Sequence, residues 1–284
     1  MKTFTLFCIA LLAVEQSHSQ EDDSNPLFRY LEGDQYVYAD TAYVRAAPGL
    51  QSSVIDTLFV GDNVTIQSNE TILNKVKGFK AQWSKIGYNK DGQRKEGYIW
   101  AGLLTLNAMR RSDTKFIYGV ERLVNTIDKD EPSLQYDEYI IGLKVVVNKQ
   151  KVADYKFRVN SRESMNFSYS KVEGGRGLMN VKHIIALTFS GQACAVPTFT
   201  YRFGWTGDKL CQLPLEEDMV DAGAAYYDEE LIFPADKGGL PNRVILKIEQ
   251  GEATDQEDKN GEPVYKTSRE RKMYKWDGSK IIPG

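Results

Sequence analysis

The sequence predicts an all-β protein, a small barrel followed by a second β-rich domain with hairpin repeats. Three observations carry this. Between Tyr36 and Trp100, roughly five or six short runs of β-branched and aromatic residues alternate with turn residues, Pro48-Gly49, Gly61-Asp62-Asn63 and Asn89-Lys90-Asp91-Gly92, a spacing suited to a small barrel. From Lys115 onward the same kind of run recurs, and the only helical candidates, Glu121–Asp128 and Glu216–Ala222, sustain no 3.6-residue period. Finally, two stretches of the second region resemble each other.

In chain order, the first element is a targeting segment. Lys2 supplies a positive start, Phe4–Val14 is apolar but too short to span a bilayer, and the small residues Ser17 and Ser19 precede Gln20. Residues 1–19 are expected to be a cleaved secretory signal, so the mature protein is expected to be exported: periplasmic, cell-surface or extracellular. The polar, acidic start of residues 20–34 is expected to be a flexible linker. Cys8 would leave with the signal, and an exported chain carrying only Cys194 and Cys211 is expected to join them in a disulfide.

Residues 35–107 form the barrel segment. Val44-Arg45 with Pro48-Gly49 comes first, then Val54-Ile55, Leu58 and Gly61. Val64 and Ile66 follow, then Trp83, Lys85 and Ile86, and the segment closes on Gly97, Tyr98, Ile99 and Leu103-Leu104. This order resembles the bacterial-type SH3 (SH3b) domain, a small barrel of exported cell-envelope proteins. The resemblance implies an SH3-like barrel and a cell-wall peptide or glycan as partner. Two departures stand out: a long connection over Ser68–Gln82 and an extended basic tip over Asn89–Lys95. Altered loops put an inherited ligand groove in question.

Aromatic and cationic residues nominate the ligand-binding surface: Trp100 and Tyr98, on the face opposite Ile99, with Trp83, Arg45 and Arg94. An aromatic floor with a cationic rim (Lys90, Arg94, Lys95) suits an anionic or amide-rich polymer, since aromatic faces bury large area beside a wet edge. Each ring is equally suited to core packing.

Residues 114–284 form the second, β-rich domain. His183–Ala193 aligns with Arg243–Ala253, and Gly204–Leu210 with Lys275–Ile281, which pairs Trp205 with Trp276, Gly207 with Gly278 and Lys209 with Lys280. Each unit reads as a strand, a loop starting at glycine, a second strand and a tight Trp-x-Gly-x-Lys turn. Shared hairpin chemistry alone would produce the same similarity.

The composition excludes several functions. With Lys+Arg 36 against Asp+Glu 39, the net charge of -3 leaves no nucleic-acid footprint. After signal removal His183 is the one histidine left, which gives zinc or Ser/His chemistry little material, and no metal or cofactor is expected. His183 lies upstream of Cys194, an unpromising order for a Cys/His hydrolase. The acidic stretch Asp255–Glu262 departs from a calcium loop at Gln256 and reads as a solvated hairpin tip. Asn63, Asn69 and Asn166 fit the glycosylation pattern by accident if the module is bacterial. The sequence therefore favours a non-enzymatic exported binding protein. Two alternatives remain: a carboxylate-dependent cell-envelope hydrolase targeted by the barrel, and a purely structural module.

Overall fold

A six-stranded sheet curls into an N-terminal half-barrel, here called the barrel. The computed structural model describes residues 25–29, 31–127, 132–133, 135–159 and 163–283, so the expected signal, residues 1–19, lies outside the described residues. The barrel strands are β1 (Gly33–Tyr36), β2 (Thr41–Arg45), β3 (Val54–Phe59), β4 (Asn63–Val76), β5 (Phe79–Lys90) and β6 (Gln93–Trp100), in the spatial order β1-β4-β5-β6-β2-β3. Val44, Leu58, Val64, Ile86 and Ile99 fill its interior, the alternation expected of half-buried strands. The presumed long loop over Ser68–Gln82 is instead strand. β4 and β5 run on into a long hairpin whose tip, Lys77-Gly78, has φ of 55° and 89°.

A four-stranded sheet follows: β7 (Asn107–Arg111), β8 (Thr114–Ile127), β9 (Gln135–Val147) and β10 (Gln150–Arg158), in the order β10-β9-β8-β7. The helical candidate Glu121–Asp128 thus begins inside β8. The last sheet holds β11 (Phe167–Gly174), β12 (His183–Ser190), β13 (Thr198–Trp205), β14 (Leu210–Gln212), β15 (Glu216–Asp221), β16 (Ala225–Ile232), β17 (Arg243–Glu257), β18 (Pro263–Trp276) and β19 (Ile281–Pro283). Its order is β11-β12-β13-β15-β16-β17-β18-β19, with β14 also on β13. The other helical candidate, Glu216–Ala222, is therefore mostly β15. The second region is two sheets rather than one.

These sheets stack in layers, and the side-chain alternation of β8 and β9 explains how. Phe116 and Tyr118 point at the last sheet, where they meet Trp205 and Phe189 edge-on at 6.3 and 6.2 Å. Phe157 of β10 packs on Tyr201 at 4.5 Å and Phe203 at 5.2 Å. The intervening residues Ile117 and Val146 face the barrel and pack with Val60. Gly119 and Gly142, directly paired across β8 and β9, receive the ring of Tyr38: a Cβ on Gly119 would stand 2.6 Å from its Cγ, and one on Gly142 would stand 1.9 Å from its hydroxyl. A strand buried on both faces carries no polar alternation, which is why β9 reads Ile140-Ile141-Gly142-Leu143-Lys144-Val145-Val146.

Three sequence expectations are corrected here. The linker 20–34 is not loose where it is described. Pro26–Arg29 forms a short helix, α1; Phe28 is fully buried and stacks on Phe79 at 5.5 Å, and Asn25 Nδ2 donates to the Tyr139 hydroxyl at 2.9 Å. Cys194 and Cys211 are free thiols, the first exposed and the second buried. Cys211 pairs with Gly204 near the far end of β13, whereas Cys194 precedes Thr198 at its start. That places them about 20 Å apart, far beyond the roughly 7 Å limit between Cα atoms in a disulfide. The two repeats do share geometry, for Trp205 pairs with Leu210 and Trp276 with Ile281 around glycines at φ 113° and 94°. Gly251, however, starts no loop; it lies within β17 beneath the Tyr226 ring.

The glycine seat yields a stability prediction. Gly142→Ala places a methyl group into the Tyr38 hydroxyl and is expected to cost about 2–3 kcal/mol, near the upper end of ordinary overpacking. Gly174→Ala, where the added Cβ meets nothing within 4 Å, serves as the near-neutral control. Urea midpoints of the two variants compare them directly.

Candidate functional site

Two of the nominated ligand contacts are core residues. Trp83 is 1% exposed and Trp100 is 2% exposed. The Trp83 indole donates to Asn74 Oδ1 at 2.7 Å, and that of Trp100 donates to the carbonyls of Ala81 at 3.0 Å and Asn74 at 3.1 Å. Phe79 covers Trp100 at 5.0 Å, and Phe28 stacks beyond it. The strand extension over Ser68–Gln82 and helix α1 thus close the face on which Trp100 would otherwise have been open. Both indole N–H groups are satisfied, so burial costs them little.

Arg45 and Tyr98 are neighbours, paired across β2 and β6. Arg45 spends its guanidinium on the Ser52 carbonyl and ties down the Pro48-Gly49 turn, while Tyr98 is half-buried against the barrel core. The basic tip is also largely committed. Lys90 and Lys95 both engage Asp56 of β3, Lys95 at 3.2 Å, and the Tyr88 hydroxyl and the Thr57 N–H donate to the same carboxylate at 3.2 and 2.7 Å. Burial would raise the Asp56 pKa, but these contacts, Lys90 foremost, outweigh it and hold the carboxyl well below its usual range.

Among the described residues Arg94 forms no ion pair. Its guanidinium lies over the bare backbone of Gly87, 3.1 Å from where a Cβ would stand. It borders a cleft of about 200 Å³ that also takes in Asp62, Asn63 and Tyr88 of the barrel, and Lys115 and Lys149 of the four-stranded sheet. Lys149 is carried by the β9–β10 turn, where Asn148 and Lys149 both have positive φ, 49° and 63°. Lys115 donates to the Gly61 carbonyl at 3.1 Å and sits 4.4 Å over the Tyr36 ring. Partial burial, then Arg110, lowers its pKa. Asp62 turns its carboxylate to the Phe59 N–H at 2.8 Å. The cleft is therefore net cationic, and its size admits an acidic side chain or chain end rather than a whole oligosaccharide. Lys115 and Lys149 carried no local signal in the sequence, because they join Arg94 only through sheet packing. Strands β2 and β3, the latter an edge strand, expose Tyr43, Ile55 and Phe59 at 52%, 51% and 54%; of these, Phe59 adjoins the cleft, following Leu58 and donating its N–H to Asp62.

Residues 40–105 match the family model of the bacterial SH3 domain, and the C-terminal region matches no family model. No curated protein and no solved structure matches the chain. The N-terminal part thus carries a bacterial SH3 domain within an otherwise all-β chain.

The C-terminal carboxylates group on β15 and β16. Glu216 is buried and ion-paired with Arg202, and also accepts the Leu231 N–H at 2.9 Å. Asp218 stands directly opposite Asp228 in the ladder. Burial first, then the Asp228 and Glu216 charges, raise the Asp218 pKa to about 6. His183 and Cys194 lie at opposite ends of β12, more than about 20 Å apart, so they form no nucleophile–base pair. Among the described residues no group of three His, Cys, Asp or Glu side chains is arranged to hold a metal. The Asp258 carboxylate of the acidic loop caps its own turn, accepting N–H groups from Asn260 and Glu262 at 2.7 and 3.0 Å.

The raised Asp218 pKa has a defined sign. A carboxyl titrating near 6 when folded, against about 3.9 when unfolded, contributes stability that is present below pH 4 and lost as pH rises through 6. Asp218→Asn keeps the oxygen that accepts the Glu229 N–H at 3.3 Å. The variant is expected to melt above the parent protein at pH 7 and alongside it at pH 4, as thermal scans at the two values will show.

Proposed function

We propose that this is an exported, non-enzymatic protein that binds a cell-wall peptide through the cationic cleft beside its bacterial SH3 barrel. The bacterial SH3 match supports a cell-wall-binding or targeting module. The single observation that carries the finer reading is the convergence of Arg94, Lys115 and Lys149 on one cleft, against an Asp62 carboxylate already turned to its own backbone. Wall peptides bear free carboxylates, and a guanidinium binds a carboxylate bidentately. Exposed Phe59, adjoining the cleft residues Leu58 and Asp62, offers apolar contact to the remainder of such a ligand. The β-rich C-terminal sheets act as scaffold.

Sedimentation with insoluble peptidoglycan tests this. The parent protein is expected to co-sediment, and the Arg94→Ala/Lys149→Ala variant to bind at least tenfold more weakly with an unchanged melting temperature. Equal binding by the two proteins would remove the cleft from the reading.

One observation favours a carboxylate-dependent hydrolase as the second reading. Asp218 and Asp228 are cross-strand neighbours, and burial together with the Asp228 charge raises the Asp218 pKa, the environment in which a carboxyl stays protonated to act as an acid. Release of soluble wall fragments in the same assay, abolished by Asp218→Asn, would establish that reading in place of the first.

Export rests on Lys2, the Phe4–Val14 run and the small residues Ser17 and Ser19. N-terminal sequencing of protein recovered outside the cytoplasm is expected to begin at Gln20. Retention of Met1 on a membrane-bound product would overturn it.

A further inference from the structure

A second polar cavity, of about 270 Å³, lies between the barrel and the four-stranded sheet. It is separate from the Arg94 cleft and nothing in the proposed function uses it. Four lysines meet there, Lys77, Lys144, Lys151 and Lys156, against three carboxylates, Asp40, Glu121 and Asp154.

The ion pairs distribute unevenly. Lys144 is buried and saturated: its ammonium donates to the Tyr38 carbonyl at 2.9 Å and Asp40 at 3.0 Å, and lies 4.2 Å over the Tyr38 ring. Lys151 takes both Asp40 oxygens, at 3.1 and 2.9 Å. Glu121 accepts the Tyr38 hydroxyl at 2.5 Å and holds Lys156 at 3.4 Å. Two carboxylates thus serve three ammonium groups. Among the described residues Lys77 makes no ion pair.

Lys77 is not on a loose loop. It sits at the β4–β5 tip, which is pinned to β8: the Leu123 N–H donates to the Lys77 carbonyl at 2.9 Å, and a Cβ on Gly78 would stand 2.4 Å from the Leu123 carbonyl oxygen. The tip therefore presents Lys77 to the cavity in a fixed place. Although the residue is exposed as a whole, crowding of its ammonium group lowers its pKa; burial is the largest cause, and Lys144 and Lys156 add to it against the pull of Glu121. An ammonium group so placed feels Glu121 and Asp40 at a distance but, among the described residues, has no carboxylate in ion-pair contact.

We propose that this junction cavity binds a single carboxylate, held by Lys77 together with Lys156. Four cations against three anions leave one net positive charge, which matches a monoanion and not a polyphosphate. The occupant would also cross-link the barrel tip to the sheet. The free C-terminus of a peptide and the carboxylate of an acidic sugar share this chemistry. The inference is independent of the Arg94 cleft and of wall binding.

The test uses the full mature chain and NMR of its lysine ε-methylene groups. N-acetyl-alanine represents a peptide terminus, glucuronate a sugar acid, and N-acetyl-alanine amide the uncharged control. N-acetyl-alanine, glucuronate or both are expected to shift the Lys77 signal saturably and raise the Lys77 pKa, while the amide leaves both unchanged. The more tightly bound acid identifies the source. Lys77→Met is expected to weaken binding at least tenfold and Lys77→Arg to restore it, with peptidoglycan sedimentation unaffected. Lys156→Met, on exposed β10, is a second variant expected to show the same loss should the first fail to fold. Equal shifts from acid and amide, no shift from either acid, or unchanged binding in a folded Lys77→Met or Lys156→Met protein would overturn the proposal.

Discussion

The seating of Tyr38 on the Gly119–Gly142 pair is the contact on which the arrangement of layers depends. An aromatic ring can reach the backbone of a sheet only where two cross-strand neighbours lack side chains, and here both do. The hydroxyl then meets Glu121, and Lys144, two residues along β9 from Gly142, closes over the ring and bonds to the Tyr38 carbonyl. Burial, followed by the Glu121 charge, pushes the tyrosine pKa far above its ordinary value, so the hydroxyl remains a donor throughout the physiological range. A buried lysine is tolerated because its hydrogen bonds are made. The barrel is thereby fixed to the second region in one orientation, and the two cationic cavities at its edge are consequences of that orientation.

On the opposite face of the four-stranded sheet, aromatic packing replaces polar docking. Phe157, Phe189, Tyr201 and Phe203 interlock there, continuous with a core that reaches from Phe28 through Trp83 and Trp100 to Leu210. The central sheet is therefore buried on both sides, and the C-terminal strands extend away from it around a second core of Phe233, Val244, Leu246 and Trp276. The repeated Trp-x-Gly-x-Lys turns show how one local design serves two environments. Trp205 packs toward Phe116 in the first core, whereas Trp276 closes the second and donates its indole N–H to Met179.

The electrostatic pattern separates structural from available charge. Asp56, Glu121 and Asp40 each gather more than one lysine, which turns nominal basic patches into neutral ties. Among the described residues Arg94, Lys149 and Lys77 form no ion pair; the elements that carry them are a strand over a bare glycine and two hairpin tips with positive φ. Hydrogen bonding and charge pairing thus decide which cations face solvent, and proximity in sequence does not.

Local pattern by itself determined the all-β class, the barrel strands from Thr41 to Trp100 apart from the β4–β5 extension over Ser68–Gln82, the turn glycines and the Trp-x-Gly-x-Lys turns, because each rests on alternation or on a positive-φ requirement that neighbouring residues display. It also marked Arg94 as a candidate contact. Tertiary structure alone decided the fate of Trp83 and Trp100, since an aromatic residue in a strand looks the same whether its outer face is open or covered, and the cover comes from Phe79 and from Phe28 in a segment that reads as a polar linker. It separated Cys194 from Cys211 by the length of β13, where the count of two cysteines in an exported chain suggested a disulfide. It brought Lys115 and Lys149 to Arg94, and Lys77 to Lys156, because two sheets must stack before residues far apart in the chain share a cavity.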